Sequence, residues 1–172
     1  MRYYAEPSIL NCRDPSQLAW SAIEPIWNDL PLSNFSNLAR FMSELSKGQR
    51  GLIAIDWCQK EIRNGGFEQL FSNSTGNLVP WALEGFKIIG AHKHGEIVAE
   101  AAALLGHEYP RSAAARKRAI LGLSEDQKAT VSNLDDAFLV LVIEEEAAFE
   151  QCRAAYVRSH PQEFVLVGNL DG

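Results

Sequence analysis

Glu61-Ile62-Arg63-Asn64-Gly65-Gly66-Phe67-Glu68-Gln69-Leu70-Phe71-Ser72-Asn73-Ser74-Thr75-Gly76 is the stretch on which the fold turns. Before it, Leu52, Ile55, Trp57 and Ile62 mark a helical segment. The paired glycines stop that segment, because glycine takes the left-handed backbone that a helix end requires. After them, Phe67, Leu70 and Phe71 form a short apolar helix that gives way to a polar turn from Ser72 to Asn77. Gly65 and Gly66 therefore turn the chain and Phe67 and Phe71 fill the core. The amides of Gln69 and Asn73 suit hydrogen bonding to backbone in the turn, beside Asn64.

The same grammar extends outward in both directions. Asp14-Pro15 opens a first helix, with a carboxylate to cap and proline at the first helical position. Ala19, Trp20, Ile23, Ile26, Trp27 and Leu30 follow at three- and four-residue spacing, and Pro25 predicts a kink or break. Leu38, Phe41, Met42 and Leu45 form a second amphipathic segment, and Ser46 with Gln49 reads as a capping box opening the third. Beyond the turn, Pro80 to Gly90 and His94 to Leu105 read as two more helices. A basic stretch with Arg111, Arg116, Lys117 and Arg118 reads as a solvated helix face, and Ser124 with Gln127 as a second capping box. The longest helix is expected from about Leu134 to about Arg158, started by Asn133 and ended before His160-Pro161. The run Glu163 to Val167 fits either a helical turn or a short strand. Strict alternation is nearly absent. The expected architecture is all-α, a single-domain bundle of seven or eight helices over residues 1–172.

Composition narrows the function. A chain of 172 residues with 47% hydrophobic and 22% charged residues is globular, neither disordered nor fibrous. Three widely spaced cysteines offer no disulfide framework and no paired CxxC metal motif. No apolar run reaches the roughly 18 residues of a membrane helix, and the amino terminus has no export signal, so a cytoplasmic location is expected. His92 and His94 are two apart and cannot share one helix face; with His107 and His160 they are expected at the surface, and no metal is expected. The only paired glycines lack the strand and the lysine of a phosphate loop, and no nucleophile elbow occurs. No cofactor and no enzymatic activity are expected.

Charge is the more informative signal. Residues 1–118 carry 12 acidic and 13 basic side chains, whereas residues 119–172 carry 10 and 3, so the net charge of −6 resides wholly in the final third. Asp135, Asp136, Glu144, Glu146 and Glu150 are the candidate partner-binding residues, with Asp135, Glu146 and Glu150 expected exposed on one face. Glu145, four residues from both Leu141 and Phe149, falls on the apolar face of a continuous helix and must there be paired, hydrogen-bonded or neutralised, with an arginine or the backbone amides near the glycine pair as the expected contact. An acidic chain does not seek nucleic acid itself. Exposed carboxylates instead present negative charge to a partner built for phosphates, and a symmetric homodimer would double the display.

The run Glu61 to Gly76 also resembles the hallmark of a small bacterial all-helical family named after a DNA-mimic protein: an acidic residue, Asn-Gly-Gly-Phe, then Gln, an aromatic, Asn and a Ser-Gly turn. Ala82-Leu83-Glu84, Leu134-Asp135-Asp136-Ala137-Phe138 and Tyr156 to Phe164 extend the resemblance over roughly Phe41 to Phe164. It implies a non-enzymatic module that occupies the nucleic-acid-binding surface of a basic regulator. Two alternatives stay open at this point: an antitoxin or immunity protein that blocks a toxin, and an enzyme using Asn64, Glu68, Gln69 and Asn73.

Overall fold

The computed structural model describes residues 3–166. Val167, the end of the run from Glu163, lies outside them. Eight α-helices follow in order: α1 (Pro15–Trp27), α2 (Phe35–Glu44), α3 (Lys47–Ser72), α4 (Val79–Ile89), α5 (His92–Ala103), α6 (Ala113–Leu121), α7 (Glu125–Glu144) and α8 (Glu146–Ser159). Short 3-10 turns lie at Pro7–Asn11, Ser74–Leu78 and Pro161–Glu163. The all-α class is as the periodicity requires. Among the described residues the only β pairing is an isolated parallel bridge between Ala5 and Val165, which ties the two ends of the chain together.

Local chemistry sets most boundaries. Asp14 Oδ1 accepts from Gln17 N at 2.8 Å, Asn34 caps α2 and Ser112 caps α6. The boxes Ser46/Gln49 and Ser124/Gln127 are both closed reciprocally. Gly90 ends α4 in the left-handed region. Pro25 does not break α1, which continues to Trp27; the proline falls in the last turn, and Trp27 is held by stacking on Trp57 at 4.4 Å.

The first arm of α3 is the central strut. Leu52, Ile53, Ala54 and Ile55 are buried in succession, the signature of a helix surrounded by others. Over both arms α3 packs along α4 and also touches α1, α6, α7 and α8, while α1 lies along α8. The α3–α4 approach is close: a Cβ on Gly85 would meet the Gly51 carbonyl oxygen at 2.6 Å.

One expected element divides in two. The helix predicted from Leu134 to Arg158 is α7 and α8, and it starts at the Ser124 box rather than at Asn133, which is mid-helix. The break is at Glu145, with φ −110 and ψ 12. A straight helix would hold that carboxylate between Leu141 and Phe149. The bend instead lets it meet Lys93 Nζ at 2.5 Å, with the side chain 37% exposed. His94, expected at the surface, is buried against Phe86, Phe138 and Phe149.

Candidate functional site

Two groups of side chains emerge, one around the glycine pair and one on the outer face of α7 and α8. At the glycine pair the helix is interrupted: Gly65 has φ −163 and Gly66 has φ 70, ψ −172, a conformation confined to glycine. The chain re-enters helix at Phe67. Its exposed N–H is taken up by Asp135 Oδ1 from α7 at 2.7 Å, a cap supplied by a distant helix. Phe67 stacks on Phe71 and meets Phe138 edge-on, anchoring the second arm in the core.

Around the kink the amides bond to a carboxylate rather than to backbone. Gln69 Nε2 and Asn73 Nδ2 donate to Glu61 Oε2 at 2.7 and 3.0 Å, and Thr75 Oγ1 donates to Oε1 at 2.9 Å. Asn64 Nδ2 donates to Gln69 Oε1 at 3.1 Å. Glu61 is itself buried, so three donors from three later positions satisfy a charge that would otherwise be costly. Beside it, burial followed by the Glu61 charge pushes the Cys58 thiol far up, which keeps it protonated and inert.

The other side of the turn is held by Arg116, which the sequence placed on a solvated face and the structure buries completely. Its Nε donates to Phe71 O, Nη2 to Asn73 O, and Nη1 to Asn77 Oδ1 and Pro110 O, all within 3.0 Å. No sequence periodicity marks it. The available signal was an arginine in a run otherwise rich in alanine, near a turn with unsatisfied carbonyls.

The predicted partner-binding carboxylates separate by role. Asp135 is half-buried in its capping role, and burial raises its pKa above the ordinary carboxylate value despite the Phe67 N–H that favours the charged form. Glu150 is half-buried and held by Arg153 at 3.0 Å, which also bonds Asp56 Oδ1 at 2.5 Å. Neither meets the expectation of full exposure; each is drawn inward by a buried donor. Asp136, Glu144 and Glu146 are exposed. Glu146 is 3.8 Å from Arg63, with both side chains more than half exposed. Among the described residues Asp136 and Glu144 have neither an ion pair nor a hydrogen bond through their carboxylates. With Val140 and Ile143, which are 51% and 77% exposed, they fall within about 120° of arc on α7 at roughly 100° per residue.

Among the described residues no three His, Cys, Asp or Glu side chains come together as a metal-ligand set. No helix among them is long and apolar enough to cross a membrane. Glu68, offered above as an enzymatic group, lies apart from the Glu61 centre, at the rim of a small groove with Phe71, Leu105, Leu123 and Lys128. A family model described as DMP19-like protein matches residues 43–160, about two thirds of the chain, from the end of α2 to the end of α8. No curated protein and no solved structure matches.

Proposed function

We propose that this chain, which belongs to the DMP19-like protein family, is a non-enzymatic interaction module whose α7–α8 face docks onto a basic protein surface in the manner of a DNA mimic. One observation carries the reading: among the described residues Asp136 and Glu144 stand exposed, with no ion pair or hydrogen bond to their carboxylates, on the same helix face as Val140 and Ile143. Unpaired carboxylates beside exposed aliphatic side chains suit a partner with an apolar centre and a basic rim. Glu146, at the start of α8, extends the negative charge, since its hold on Arg63 is loose. Asp135 and Glu150 are engaged by the Phe67 N–H and by Arg153, so the reading rests on the other three carboxylates. A two-fold dimer would repeat the display on a second copy. The Glu61 centre holds the turn, because its oxygens are engaged by Gln69, Asn73 and Thr75 and offer no free group for catalysis.

The test is affinity capture from a lysate of the source organism, using the wild type and the triple variant Asp136→Asn, Glu144→Gln, Glu146→Gln. Wild type is expected to retain a basic protein that elutes with rising salt and is displaced by DNA. The variant should lose about tenfold or more in affinity, with a flatter salt dependence. Equal capture by both proteins would remove this surface from the function. Capture of a toxin in place of a DNA-binding regulator would assign the same face to neutralisation.

A further inference from the structure

A cavity of about 710 Å³ opens between α1, α3 and α8. Polar and charged groups from all three helices line it, with Trp20 as a flat wall. Formally the charges balance, since Asp56, Glu61 and Glu150 oppose Lys60, Arg63 and Arg153. Their commitments do not balance. Asp56 and Glu150 are both taken by Arg153, and Glu61 is taken by Gln69, Asn73 and Thr75. Lys60 has no carboxylate partner and rests its ammonium 5.0 Å above the rings of Trp27 and Trp57. Arg63 has only the loose approach to Glu146. At the wall of the cavity Arg153 is 5% exposed, and its buried Nε–H has no acceptor.

The groups left without partners are therefore mainly donors. Alongside Lys60, Arg63 and the Arg153 Nε–H stand the Ser16 hydroxyl, the Trp20 indole and the Gln59 amide, none of which has a side-chain hydrogen bond. A buried donor lacking an acceptor is costly, and two cations and an indole N–H, beside a hydroxyl and an amide that can donate as well as accept, suit a guest rich in acceptors. The geometry points to a binding site for a small oxyanion, a phosphate- or carboxylate-bearing molecule, clamped between Lys60 and Arg63 over the α1–α3–α8 cavity. It meets the docking face only at the loose Arg63–Glu146 approach and does not depend on that reading.

The test is calorimetric titration of the full chain at constant ionic strength with inorganic phosphate and, separately, with succinate, alongside intrinsic fluorescence. Trp20, Trp27 and Trp57 all lie at this cavity or under Lys60. At least one probe is expected to give a saturable heat and a tryptophan intensity change at about 1 mM or below. Which probe responds identifies the oxyanion as phosphate or carboxylate. The exposed double variant Lys60→Met, Arg63→Gln keeps Arg153 with its Asp56 and Glu150 partners and should weaken binding about tenfold or more. The control Lys117→Met, Arg118→Gln removes the same charge from exposed positions on α6 and should leave binding unchanged. No saturable response to either probe, or equal weakening in the control, would overturn the assignment.

Discussion

Arg116 places a guanidinium with no exposed surface where four acceptors converge: the carbonyls of Phe71, Asn73 and Pro110 and the Asn77 amide oxygen. The last turns of α3 and the 3-10 segment after it leave carbonyls without helical partners, and a planar five-donor group reaches them from one point. Glu61 does the complementary work for the side-chain donors of the same turn. The two charges thus secure one segment from opposite sides without touching each other. Replacing Arg116 by methionine strips the guanidinium from Phe71 O, Pro110 O and Asn77 Oδ1 and leaves Asn73 O with only the Gly76 N–H, at a cost of about 3–5 kcal/mol in urea denaturation. Arg116→Lys should stay destabilised by about 2 kcal/mol, because an ammonium cannot fan out to four directions. A lysine variant as stable as wild type would show that charge alone, not the fork, holds the turn.

At the scale of elements, the helix starts were legible because each is written in two or three adjacent residues: Asp14-Pro15, Ser46 with Gln49, Ser124 with Gln127. The glycine pair was legible for the same reason, since Gly66 needs its positive φ whatever surrounds it. What holds the kink was not legible, because Asp135 lies 68 residues away from Phe67 and its capping is a tertiary event. The α7–α8 bend was hidden likewise, since the Lys93 that meets Glu145 there lies 52 residues away on another helix. A Cβ on Gly66 would sit 2.6 Å from Asp135 Oδ2 in a backbone region closed to other residues. Gly66→Ala should therefore cost about 2–3 kcal/mol. Asp135→Ala, which only removes the cap, should cost about 1 kcal/mol, while Asp135→Asn keeps an acceptor and should fold nearly as well as wild type. Equal losses for the alanine and asparagine variants would mean that the negative charge, rather than the hydrogen bond, stabilises the second arm.

Over the whole molecule, the charge asymmetry was read correctly as arithmetic but not as surface. Glu125, Glu145, Glu146 and Glu150 each approach a basic side chain, and Asp135 turns inward, so the free negative charge condenses onto fewer positions than the count suggests. Acidity alone therefore does not set how stability responds to pH; two interior groups do, and with opposite signs. Burial raises the Asp135 pKa above the ordinary carboxylate value, so the folded state holds that proton to higher pH than the unfolded chain. Its contribution to stability is greatest below the unfolded pKa and declines as pH rises through the interval up to the folded one. His94 runs the other way. Burial among Phe86, Phe138 and Phe149 lowers its pKa, opposed by Glu145 and reinforced by Lys93. The neutral imidazole is then the folded form, and its stability is full above about pH 6.5, the ordinary imidazole value, and lost as pH falls toward the lowered one. Urea midpoints measured from about pH 4 to 8 should rise with pH through the imidazole range. His94→Leu should flatten that limb, and Asp135→Asn should remove only the opposing decline near the carboxylate range. If the imidazole limb survives in His94→Leu, the titration belongs to another histidine, and the aromatic packing around His94 is not what sets the acid limit of the fold.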